Sequence, residues 1–224
     1  DPPVEIQYES TAQKMLPPEH IPPRRTIRER FRVAFQSIGA GTCELRYGTT
    51  QTEGLFFWKR VLGAVFPTIG PRKLQKLTEK LYRQFNHPRS WAILSGAEPI
   101  LHRLSRRSMN VALLSNWDRR GRKLVEKLGL DEYVSRTYIS SEEGLEKPDP
   151  RFFMRPVKDF DTSPDRALMV GNEPELDLVP AESIGMDTLL LIGGSSMSTG
   201  HLWPNVAHSW LDVANRLTDV EVSS

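Results

Sequence analysis

The chain has 224 residues, 38% of them hydrophobic and 15 of them glycine, a size and make-up that suit one large globular domain or a core carrying an insert. Thirty Lys and Arg against 28 Asp and Glu give a net charge of +2, so the global electrostatic field is weak. No apolar run approaches the roughly 20 residues that span a bilayer, and a single cysteine, Cys43, excludes an intrachain disulfide or a cysteine-based zinc cluster.

Residues 1 to about 95 carry helical patterning. Thr26-Ile27-Arg28-Glu29 has the form of a capping box, and Ile27, Phe31, Ala34, Phe35 and Ile38 follow at helical spacing. Leu55, Val61, Leu62 and Val65 suit another helix, with Phe56, Phe57 and Trp58 expected in its core. Pro71 opens a third, with Leu74, Leu77, Leu81, Tyr82 and Phe85 on one face. Cys43 sits in a glycine-rich stretch with no nearby histidine, which argues against a nucleophile. Basic residues are dense in Arg24 to Arg32 and again in Arg119 to Lys123. Both runs read first as solvated helix faces; the sharper reading is contact with RNA or an acidic surface through the Arg24 to Arg32 region.

Near residue 96 the pattern changes to alternating strands and helices. A helix starts around Pro99 and runs to about Arg107. Val111 to Leu114 is a short strand, Arg119 to Leu128 a helix stopped by Gly129, and Val134 to Ile139 a strand. Pro150 to Phe160 is helical, with Pro156 expected to kink or stop it. Ala167 to Val170, Leu176 to Ile184 and Thr188 to Ile192 read as strand, helix and strand. Gly193 to Gly200 is a loop by composition, and Trp210 to Leu217 closes the chain as a helix. Such repeats argue for a parallel sheet, whose ligands bind beyond the carboxyl ends of its strands. Ser115 and Asn172 fall at those ends. No Gly-x-Gly-x-x-Gly follows any strand, which argues against a Rossmann-type nucleotide binder.

Three stretches carry chemistry. Val111 to Leu114 leads into Ser115-Asn116. Glu146-Lys147-Pro148-Asp149-Pro150 follows, and then Leu168-Met169-Val170-Gly171-Asn172-Glu173-Pro174-Glu175-Leu176-Asp177. Singly each is weak: Ser-Asn after a strand is a common turn, and Lys-Pro-Asp-Pro is a plain helix start. In this order they resemble motifs II, III and IV of the haloacid dehalogenase (HAD)-like hydrolase superfamily. The stretches Leu81 to Pro88, Trp91 to Glu98, Ser115 to Arg120 and Glu146 to Phe153 further resemble the branch of HAD-like hydrolase domain-containing protein 3. The resemblance implies an α/β fold: a Rossmann-like parallel sheet core at 96–224, with an inserted all-helical cap at 1–95. It also implies roles. Ser115 and the backbone N–H of Asn116 would meet a phosphoryl oxygen, Lys147 would neutralise charge, and Asp177 with residue 172 would hold Mg.

Two departures from that pattern bear on function. The nucleophile motif of the family, Asp-x-Asp-x-Thr, is expected on a central first strand upstream of Asp1. Asp159-Phe160-Asp161-Thr162 does not replace it, because it follows a helix, lies after motif III and lacks the spacer. In motif IV the first metal-binding Asp is Asn172, whose neutral amide weakens a Mg site. The expectation is therefore a catalytically impaired HAD-like protein, without a cofactor, serving as a structural or accessory subunit of a protein assembly. The alternative is a Mg-dependent phosphomonoester hydrolase with its nucleophile upstream. An intracellular location is expected from the lone cysteine, with the mitochondrial matrix one compartment that fits the basic charge.

Overall fold

The computed structural model describes residues 4–38, 45–107, 109–192 and 203–221. Cys43 and the loop at 193–200 lie outside them. In chain order the elements are α1 (Val4–Gln13), α2 (Arg24–Ser37), α3 (Gln51–Val65), α4 (Pro71–Gln84), α5 (Ala97–Arg106), β1 (Ala112–Ser115), α6 (Arg120–Lys127), β2 (Arg136–Ile139), α7 (Ser140–Glu143), α8 (Pro150–Asp159), β3 (Leu168–Gly171), α9 (Val179–Glu182), β4 (Asp187–Leu191), β5 (Val206–Ala207) and α10 (Trp210–Glu221). They fall into two compact units: Asp1–Ala92 with Trp117–Lys127, and Ile93–Asn116 with Leu128–Ser224.

The first unit is helical. Pro71 at the start of α4 presets the helical φ, and Leu77 and Leu81, four apart, bury on one face. They meet Tyr8, Ala12, Ile27, Leu62, Val65 and Phe66 in one core. A second cluster gathers Ala34, Tyr47, Phe57 and Val61; burying a side chain such as Phe57 contributes about 1.5–3 kcal/mol. Its neighbour Phe56 is 63% exposed. The three consecutive aromatics expected in the core therefore part company, as helical spacing of 100° per residue requires. The capping box expected at Thr26 does not form. Pro22-Pro23 moves the start of α2 to Arg24, with Pro23 at the N-cap, so Thr26 lies inside the first turn. A capping box stands instead at α3, where Thr50 accepts from the Glu53 N–H and Glu53 reaches back to the Thr50 N–H.

The second unit holds the strands. Among the described residues they form two parallel sheets, β1-β2 and β3-β4-β5. In register, Ser115 lies opposite Ile139 and Gly171 opposite Leu190. β4 is buried along Thr188 to Leu191, and β2 along Thr137 to Ile139. Every residue of β1 and β3, in contrast, is only half-buried, and among the described residues each of these strands pairs on one side only. Leu189, Leu191, Ala207 and Val213 form a core. Pro156 neither stops nor shortens α8, which runs on to Asp159; Phe152, Phe153 and Val157 bury around it. The helix expected from Leu176 begins as a π-turn, Pro174–Leu178, before α9. Asp159 ends α8 and accepts from the Tyr138 hydroxyl at 2.9 Å and Arg136 at 2.8 Å, a structural role unlike that of a strand-end nucleophile.

Candidate functional site

The site grows from the C-terminal ends of β1 and β3, both in the second unit. β1 ends at Ser115, and Asn116 follows as the chain leaves the strand. The Asn116 side-chain amide clamps the backbone of Lys147, 31 residues away. Its Nδ2 donates to the Lys147 carbonyl at 2.8 Å, and its Oδ1 accepts from the Lys147 N–H at 2.8 Å. Two such bonds fix both ends of one amino acid's backbone, as a strand partner would. Just beyond, Asp149 caps α8 by accepting from the Arg151 N–H at 2.9 Å. The Arg151 guanidinium on the same carboxylate holds Asp149 below the usual carboxylate range. The Lys147 loop is thus pinned on both sides.

From that loop the Lys147 ammonium donates to Asp177 Oδ1 at 2.6 Å. The other carboxylate oxygen, Oδ2, accepts the backbone N–H groups of Asn172 and Glu173, each at 3.1 Å. Asp177 is 4% exposed, so this carboxylate is buried but fully satisfied. β3 delivers the two N–H donors by ending at Gly171. A β-carbon on Gly171 would stand 2.4 Å from Asp177 Cβ and 2.6 Å from Oδ2. The glycine is what lets the π-turn fold its aspartate back onto the strand end.

Of the residues expected in the site, Asn116, Lys147 and Asp177 are linked in one chain of bonds, and Ser115 directly precedes it. Asn172 joins through its backbone N–H, while its side chain is exposed. The Asn116 side chain has a positioning role where only its backbone N–H was expected to act. Gly171 belongs to the motif IV stretch but was given no role there, and the Glu173 N–H was not anticipated; a glycine closing an apolar strand six residues before an aspartate was the available signal. Mg requires near-octahedral oxygen donors. Asp177 offers one carboxylate, occupied by an ammonium and two N–H groups, and residue 172 offers at most an amide oxygen. Among the described residues no group of three or more His, Cys, Asp or Glu could hold a metal. As arranged, these side chains do not fit the ion.

A family model described as haloacid dehalogenase-like hydrolase matches residues 50–191. The chain belongs to this family. Among its relatives is the haloacid dehalogenase-like hydrolase domain-containing protein 3 of Homo sapiens, 30% identical over 195 residues that cover 81% of this chain and 76% of that protein. A phosphoserine phosphatase of Thermus thermophilus is 33% identical over 67% of this chain and 64% of its own length. Among solved structures, the HAD hydrolase YfnB of Bacillus subtilis, bound to magnesium, superposes with a TM-score of 0.70 at 12% identity, covering 96% of this chain and 93% of that one. That likeness supports the HAD-type α/β fold. Among the described residues no helix is long and apolar enough to cross a membrane.

Proposed function

We propose that this haloacid dehalogenase-like protein does not hydrolyse phosphate esters at its strand-end site, and serves as a structural or accessory subunit of a larger assembly. The supporting observation is the state of Asp177. Its acceptor capacity is turned inward, to Lys147 and to the N–H groups of residues 172 and 173. The family's second carboxylate is replaced by Asn172. The same arrangement makes a good folding anchor: it ties the loop after α7 to the turns that follow β1 and β3. A candidate surface for an acidic partner or RNA lies on α2. Arg24 and Arg28 are paired with Glu9 and Glu5, and Arg30 donates to the Val65 carbonyl. Arg25 and Arg32, both exposed, are the residues of this run offered to a partner. A mitochondrial matrix location belongs to the same proposal and is tested by fractionation of the source cells.

The second reading is a Mg-dependent phosphomonoester hydrolase. It is favoured by the placement of Lys147 beside the Ser115-Asn116 strand end and by relatives named phosphatases. In it, Ser115 and the Asn116 N–H bind phosphoryl oxygens and Lys147 balances their charge. This reading requires Lys147 to leave Asp177, because as arranged the Asp177 and Asn172 side chains do not fit Mg. The deciding experiment is p-nitrophenyl phosphate turnover in Mg by the protein produced from its complete reading frame, so that any nucleophile encoded upstream of Asp1 is included, with Lys147→Ala and Asn172→Asp in parallel. The first reading expects wild-type turnover at background. Wild-type hydrolysis that Lys147→Ala abolishes establishes the second reading instead. Native separation of the source extract tests the subunit role, which fails if the protein runs as a monomer.

A further inference from the structure

The helical unit contains a cavity of about 240 Å³, and every described residue of its wall belongs to that unit. The wall is mainly aromatic, with Phe31, Phe35, Tyr47, Trp58 and Trp117 among its rings. Protein interiors are close-packed and hold few voids larger than a water molecule. A dry apolar void of about 150 Å³ is already large enough to take up benzene. Two ring stacks frame the space, Phe31 on Phe35 and Tyr47 on Trp58.

The polar groups on the wall define what would fill it. Arg120 carries the positive charge, but that charge is matched inside the protein. Its Nε and Nη2 donate to the Asp118 carboxylate at 2.6–3.1 Å, and the guanidinium stacks 3.4 Å over the Tyr82 ring. Both partners of this pair are buried, with side chains 10% and 2% exposed. The Thr78 hydroxyl donates to the Leu74 carbonyl at 2.8 Å. Burial keeps the Tyr8 hydroxyl protonated and neutral. The Trp58 Nε1–H is buried and finds no hydrogen-bond acceptor among the described residues. A buried donor without a partner calls for an explanation. A charged ligand would lose its hydration without meeting an uncompensated counter-charge.

We propose that this cavity binds a small neutral aromatic molecule bearing an oxygen acceptor, which the Trp58 Nε1–H meets. The proposal rests on residues of the helical unit alone and stands whether or not the chain is a hydrolase. The test titrates the full chain with acetophenone, ethylbenzene and benzoate, followed by calorimetry and tryptophan fluorescence. Acetophenone is expected to saturate a single site. Ethylbenzene should bind about fivefold more weakly, the size of one neutral hydrogen bond, and benzoate should not bind. Trp58→Phe keeps the ring and loses the donor, so it should erase the difference between acetophenone and ethylbenzene while ethylbenzene binding survives. Leu81→Phe adds a ring to the wall and should remove both, with thermal melting as the check that it folds. The proposal is overturned if neither uncharged probe saturates, if benzoate matches acetophenone, or if Trp58→Phe keeps the acetophenone preference.

Discussion

The strand-end site is built by single residues that each do one geometric task. Gly171 makes room: a methyl group there would fall 2.4 Å from Asp177 Cβ, an atom fixed close to the backbone that cannot swing aside. Gly171→Ala should therefore push the π-turn away and break the Lys147–Asp177 contact, at a cost of about 2 kcal/mol or more, read from urea denaturation. A variant as stable as wild type would show that Asp177 does not fold back onto the strand end. Asn116 has a different task. Asn116→Ala removes two bonds of 2.8 Å and leaves the Lys147 N–H and carbonyl without their partner, so it should cost about 1–3 kcal/mol. At this scale the sequence was partly informative. Ser115, Lys147, Asn172 and Asp177 stand out because their order matches a family pattern. The Asn116 clamp does not, because it joins positions 31 apart whose meeting depends on β1 and β2 pairing first. The Asp118–Arg120 pair stayed hidden for a related reason. Charges two apart look like an exposed turn until tertiary packing buries them.

At the scale of elements, helix existence was legible from periodicity, and helix starts were not. Thr26-x-x-Glu29 and Thr50-x-x-Glu53 carry the same capping signature, but Pro22-Pro23 starts α2 early and leaves Thr26 in its first turn. The two threonines should therefore respond oppositely to alanine. Thr50→Ala should lose about 1 kcal/mol with its cap. Thr26→Ala should be neutral or gain a few tenths, because alanine is the better helix former. Equal losses at both would contradict the assigned start of α2. The α3 cap also carries a pH signature. Backbone N–H groups of Thr49 and Thr50 hold the Glu53 carboxyl below its ordinary pKa. A depressed folded pKa means the contribution is present above the unfolded value and is lost as pH falls through the folded one. Amide exchange at Thr49 and Thr50, corrected for the intrinsic rate, should thus quicken under acid below the usual glutamate range. Tyr82 titrates far from that window, pushed up to about 12 chiefly by burial.

For the whole molecule, alternating strands and helices announced the parallel α/β core, and the same short apolar strands concealed how it divides. Burial on both faces is normal for parallel strands, yet β1 and β3 are half-exposed throughout while β4, paired on both sides, is buried from Thr188 onward. Local apolarity cannot reveal this, since Leu113-Leu114 and Leu189-Leu190 look alike in sequence and differ only in their neighbours. In a parallel ladder, a strand paired on one side directs alternate N–H groups away from its partner. Those of β1 and β3 therefore face an edge that no described strand covers. Hydrogen–deuterium exchange resolved to single amides should show fast and slow residues alternating along Ala112–Ser115 and Leu168–Gly171. Leu190 and its neighbours in β4 should be slow throughout. Uniformly slow exchange along β1 and β3 would mean that a further strand covers those edges in solution. Alternation that disappears when the protein is measured within its native assembly would place the covering strand in a partner, and would tie the exposed edges to the accessory role proposed for this fold.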